Sequence, residues 1–115
     1  MSLPLFIYGS LRDPGVRALV LGRRTDLTTQ PAVLRGHVRT TVPDFDYPFV
    51  APADPDDRVN GELLLGLGDA DYSLLDEYED VADGLYVRAE IQVETPTGSE
   101  TAWVYLRGPA APPDS

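Results

Sequence analysis

Leu5-Phe6-Ile7-Tyr8-Gly9-Ser10-Leu11-Arg12 is the stretch that decides how the rest of this sequence is read. Leu3 to Tyr8 is an apolar and aromatic run of strand length, and Gly9-Ser10 ends it, so the segment reads as a buried strand entering a small-residue loop. Such a loop exposes backbone N–H groups. Its glycine lets the chain come close to a ligand, and successive amides can hold an anion or a developing oxyanion. Asp13 to Val20 follows with a cap, a proline in the first turn and apolar positions at helical spacing, which predicts a helix directly after the loop.

Working outward, Ala32 to Val42 reads as a strand that Gly36 weakens. The proline- and aspartate-rich segment from Pro43 to Asn60, built around Tyr47-Pro48-Phe49, reads mainly as loop. Gly61 to Leu67 is an apolar run of strand length. Asp69 to Val81 is the clearest helix, with Asp69 or Asp71 as its cap and Leu74, Leu75, Tyr78 and Val81 forming the face expected to meet the core. Tyr86 to Glu94 alternates, Thr95-Pro96-Thr97-Gly98 supplies a turn, and Thr101 to Leu106 alternates again, which predicts a hairpin. Residues 1–108 are expected to form one domain, and the proline-rich residues 109–115, with nothing to bury, a disordered tail.

Composition excludes several chemistries. The 115 residues contain no cysteine, so disulfides, thiolate metal sites and a cysteine nucleophile are ruled out. All nine basic residues are arginine, which removes Schiff-base chemistry and a phosphate-loop lysine. One histidine, His37, cannot build a multi-histidine metal site. A net charge of −10 repels nucleic acid and anionic membrane surfaces, so neither is an expected partner. With no signal-like or membrane-length apolar run, the chain is expected to be cytoplasmic, and its oligomeric state is not legible.

A second feature sits in Leu75-Asp76-Glu77-Tyr78-Glu79-Asp80, where four carboxylates crowd an amphipathic helix. On a helical wheel Glu77 and Glu79 border opposite edges of the apolar stripe, while Asp76 and Asp80 point away from it. A carboxylate held against apolar walls has its pKa pushed upward, which suits a general base and acid near neutral pH. The same pattern also describes a solvated acidic face.

Together these features resemble the gamma-glutamylcyclotransferase-like (AIG2-like) family. Leu5 to Arg12 looks like that family's N-terminal signature, and Leu75 to Glu79 followed by Tyr86 and Arg88 looks like its second, with a similar Val59-Asn60-Gly61-Glu62-Leu63 strand between them. The resemblance runs from about Leu3 to about Leu106. It implies an α+β class, a compact mixed β-barrel with short packed helices, and Glu79 as the catalytic glutamate. It further implies that Tyr8, Gly9, Ser10 and Leu11 receive a gamma-glutamyl head group, with Tyr47, Pro48, Tyr86 and Tyr105 around the same pocket.

The reaction that the resemblance implies converts a gamma-glutamyl group to 5-oxoproline and releases an amine, amino acid or peptide. The substrate's own α-amine attacks its γ-carbonyl, so no enzyme nucleophile, metal or cofactor is called for. A serine hydrolase built on Ser10 and His37 lacks the Gly-x-Ser-x-Gly frame. Cation binding by Asp76 and Glu79 lacks the oxygen-rich loop that calcium prefers. The stronger rival is a small-ligand-binding member of the same fold without turnover.

Overall fold

Alternating side chains sort the strands into an inner and an outer layer, and the sorting begins in β1 (Leu5–Ile7). The computed structural model describes residues 3–42 and 45–110, with the side chains of 41–47 outside that description. After β1 come a 3-10 turn (Ser10–Arg12), helix α1 (Pro14–Leu21), and strands β2 (Thr28–Arg35), β3 (His37–Val42), β4 (Phe45–Pro52) and β5 (Arg58–Leu65). Helix α2 (Asp69–Tyr78) and the hairpin β6 (Tyr86–Thr95) and β7 (Gly98–Arg107) complete the chain.

Five strands close into a barrel in the order β1-β5-β2-β6-β7, while β3 and β4 form a separate two-stranded sheet. The class is α+β, as the resemblance implied. Phe6, Leu34, Leu63, Val93, Ala102 and Val104 fill the barrel with side chains almost wholly removed from water. The opposite faces of the same strands carry Leu5, Ile7, Leu64 and Tyr105, which pack with Leu21 of α1 and Tyr72 and Leu75 of α2. Gly61 belongs to the inner layer by necessity. A Cβ there would lie 2.4 Å from the Ile7 carbonyl and 2.7 Å from the Phe6 ring.

Several expectations need correction. The segment from Pro43 to Asn60 is not mainly loop, because β4 pairs with β3 and β5 already begins at Arg58. Proline is tolerated in β4 because the register slips between Thr40 and Val42, so Pro48 faces an irregularity where no ladder donor is needed. The strand expected over Ala32 to Val42 is two strands, divided at Gly36, whose φ of 73° turns the chain out of the barrel.

Helix α2 differs from expectation at both ends and in its buried face. Its N-cap is Gly68, and Asp71 acts from inside the first turn, its Oδ2 accepting from the Gly68 amide at 2.9 Å. It stops at Tyr78 instead of Val81. There Val81 N donates to the Asp76 carbonyl at 3.0 Å and Asp80 N to the Glu77 carbonyl at 3.1 Å, the paired bonds of a Schellman ending with Asp80 at φ 58°. Leu74 and Tyr78 are exposed, whereas Tyr72 and Leu75 are buried. Asp76 does not point away: it faces the hairpin and accepts hydrogen bonds from Arg88 and Tyr105.

Candidate active site

The chain leaves β1 through Tyr8 and Gly9 and enters the 3-10 turn, which places Gly9, Ser10 and Leu11 at one rim of a cleft. Arg17 steadies this loop from α1, donating from Nη1 to the Leu11 carbonyl at 2.8 Å and the Arg12 carbonyl at 3.1 Å. The amides of Gly9, Ser10 and Leu11 take no backbone partner among the described residues. Ser10 Oγ and Tyr78 Oη share a hydrogen bond of 2.9 Å, tying the loop to the last residue of α2.

Glu79 follows Tyr78 immediately and stands as the C-cap of α2, its amide bonded to the Leu75 carbonyl at 2.9 Å. Its side chain lines the cleft together with Phe6, Ile7, Tyr8, Pro48, Tyr86 and Tyr105, so the expected residues of both signatures meet around one space. That cleft measures about 360 Å³ including its open mouth. The side chain of Tyr47, also named from the sequence, lies outside the described residues; its backbone belongs to β4. Phe6 and Ile7 are lining residues that sequence reasoning missed, because a strand that twists at the barrel rim shows both faces to the cleft.

The cleft's electrostatics are set by dryness. Burial pushes the Glu79 carboxyl from an ordinary 4.5 up to about 7. No donor among the described residues reaches it, and its place at a helix C-terminus, where carbonyls point outward, further disfavours the anion. The three tyrosine hydroxyls around it are already engaged. Tyr8 donates to the Tyr105 carbonyl at 2.5 Å, Tyr86 to the Pro48 carbonyl at 2.7 Å, and Tyr105 to Asp76 at 2.7 Å. Burial also raises the Tyr8 and Tyr105 phenols well above their usual range, with the Glu79 charge acting in the same direction. The tyrosine hydroxyls are thus occupied, whereas the amides of Gly9, Ser10 and Leu11, at the rim of the cleft, have no hydrogen-bond acceptor among the described residues.

Pro48 lines the cleft directly against the loop at Gly9. A Cβ added to Gly9 would come within 3.0 Å of Pro48 Cγ, so a residue with no side chain is what lets β4 approach. The ring of Tyr86 stacks on Phe49 with centroids 4.8 Å apart, which fixes the third wall.

The family model for gamma-glutamyl cyclotransferase, AIG2-like, matches residues 5–115. The chain belongs to this family. Two curated relatives from Arabidopsis thaliana agree: Protein AIG2 C is 33% identical over 96 residues, covering 84% of this chain and 54% of the relative. AIG2-like protein C is 38% identical over 96 residues, covering 84% and 52%. The chain thus spans about half the length of the curated relatives it matches.

Among solved structures, the solution structure of an Arabidopsis thaliana protein superposes with a TM-score of 0.78 at 29% identity, covering 93% of this chain and 62% of that one. A structure titled gamma-glutamyl cyclotransferase gives a TM-score of 0.76 at 24% identity, covering 93% and 67%, and shows the shared fold. No helix among the described residues is long and apolar enough to cross a membrane, and no three His, Cys, Asp or Glu side chains gather as a metal site there.

Proposed function

We propose that this AIG2-like chain cyclises a gamma-glutamyl group to 5-oxoproline and releases the amine attached to it. The observation that carries this reading is a carboxylate, Glu79, raised to about 7 by burial and lining a cleft together with a loop whose amides have no partner among the described residues. A group poised near neutrality can take a proton and return it within one reaction.

In this mechanism the head group lies against the Tyr8–Leu11 loop with its γ-carbonyl oxygen toward the Gly9, Ser10 and Leu11 amides. Glu79 removes a proton from the α-amine, whose nitrogen then attacks the γ-carbonyl carbon and closes a five-membered ring. The oxygen gains negative charge at that moment, and fixed amide dipoles hold it without reorganisation. Collapse breaks the bond to the leaving nitrogen, to which Glu79 returns the proton. Both reacting groups belong to one molecule, so closure draws on intramolecular proximity. The aromatic walls keep water from competing.

The test is release of 5-oxoproline from a panel of gamma-glutamyl amines, amino acids and peptides, measured for wild type, Glu79→Gln and Glu77→Gln. Glutamine preserves shape but exchanges no proton, so Glu79→Gln should lose at least about 10³-fold in rate while binding persists. Glu77 is exposed on the same helix and should be nearly silent. An active Glu79→Gln protein, or an essential Glu77, would overturn the assignment. Binding of gamma-glutamyl compounds without turnover by the wild type would instead identify a ligand-binding module.

A further inference from the structure

The most heavily bonded polar side chain near the cleft is Asp76 of α2. Asp76 Oδ1 accepts from Arg88 Nε at 3.0 Å and from Tyr105 Oη at 2.7 Å, and its Oδ2 accepts from Arg88 Nη2 at 3.2 Å. Arg88 and Tyr105 are direct cross-strand partners on β6 and β7, and the next pair on that face is Glu90 with Trp103. The Arg88 guanidinium lies 4.5 Å from the Trp103 ring centre and 4.7 Å from that of Tyr72, so it is stacked between two aromatics while its fork engages the carboxylate. Tyr72 is itself fixed, donating to the Leu3 carbonyl at 2.6 Å.

Tyr72, Asp76 and Glu79 follow at spacings of four and three, one face of α2 turned to the hairpin. Asp76 is also the residue whose carbonyl closes the Schellman ending around Glu79. Its main chain therefore shapes the turn that carries Glu79, and its side chain locks that turn to the hairpin. Tyr105 passes the constraint on, because its own carbonyl receives the Tyr8 hydroxyl from the strand leading into the loop. One continuous set of bonds joins the two rims of the cleft.

We propose that Asp76, clamped by Arg88 and Tyr105, is the positioning residue that sets where the Glu79 carboxylate stands relative to the Gly9–Leu11 amides. The inference rests on the reading of Glu79 as the acid–base group. Misplacement of a reacting group by about 1 Å can cost on the order of 10²-fold, so the clamp should be visible in turnover more than in binding.

The titratable and charged groups around Glu79 are Tyr8 just after β1, Tyr78 of α2, Tyr86 on β6, Tyr105 on β7 and Asp80 beside it, with Arg39 of β3 acting on Tyr8. Asp76→Asn removes the clamp and leaves Arg88 a freed cation. Both looser packing with more water and a nearby positive charge favour the Glu79 anion, so the two effects move its titration in one direction.

The experiment follows Asp76→Asn, Tyr105→Phe and Arg88→Lys by steady-state release of 5-oxoproline and by carbon-13 NMR titration of the Glu79 carboxyl. In each variant kcat should fall by about 10–100-fold with KM changed by less than about threefold. The Glu79 midpoint in Asp76→Asn should drop from about 7 toward 4.5. Arg88→Lys keeps the charge but loses the fork and the flat stack, so it should not rescue. If Asp76→Asn does not fold, Tyr105→Phe deletes one bond, keeps the ring and carries both readouts. Folded variants with wild-type kcat and an unmoved Glu79 midpoint would overturn the proposal. A wild type that yields no 5-oxoproline, yet shows the shifted Glu79 midpoint in the variants, would sink the assigned reaction and leave the positioning role standing.

Discussion

Glu79 is useful because it is uncomfortable. A carboxylate whose folded pKa lies above its unfolded value binds a proton more readily in the native state, so its contribution to stability is full below about 4.5 and is lost as pH rises through about 7. Activity runs the other way, since the base must be ionised. The rate of 5-oxoproline release should climb on the acid side with a midpoint near 7, and a midpoint near 4.5 would remove the buried-base reading. Thermal unfolding should reveal the same conflict: Glu79→Gln and wild type should melt alike at pH 5, and at pH 8 the variant should be the more stable, by up to about 3 kcal/mol. At this scale the sequence was informative about Glu79 and misleading about Asp76. A helical wheel assigns faces by averaging hydrophobicity, and it cannot know that a cross-strand arginine and tyrosine wait opposite an aspartate.

Two elements owe their form to a single backbone position. The end of α2 is a Schellman turn with Asp80 in the left-handed region, where a glycine would carry no Cβ penalty. That substitution for glycine's role hides the stop from sequence reading, which is why the helix was expected to run on to Val81. Asp80→Gly should raise stability by about 1 kcal/mol in denaturant titration; a loss would mean that the Asp80 side chain supports the turn more than its conformation costs. The loop after β1 poses the reverse case. Gly9→Ala would press a methyl onto Pro48, so the cleft should distort before the fold does, with KM for a gamma-glutamyl compound raised about tenfold and the melting temperature little changed. The hairpin and both helices were legible because their periodicity and turn residues agree. Strand β4 was not, because Pro48 sits where a register slip excuses it, a fact of pairing with β3 that no local pattern records.

At the scale of the molecule, the barrel was expected from family resemblance and not from periodicity, since alternation within a strand does not announce which strands are neighbours. Its inner layer depends on Gly61, and Gly61→Ala should cost about 3 kcal/mol or more, because backbone and the Phe6 ring stand in the way; a variant as stable as wild type would show that the barrel can breathe there. Closure itself rests on little: β1 meets β7 in parallel at Leu5 and Trp103, with the Trp103 amide donating to the Pro4 carbonyl at 2.9 Å. Strand β1 must therefore wait for β7, and the seam is a contact of long sequence separation that forms late. The chain's single tryptophan marks that seam, and the stacked Arg88 makes its emission sensitive to it. In stopped-flow refolding, the Trp103 signal and the return of 5-oxoproline release should share one rate; recovery of activity ahead of the fluorescence would mean that the cleft is assembled before the barrel shuts.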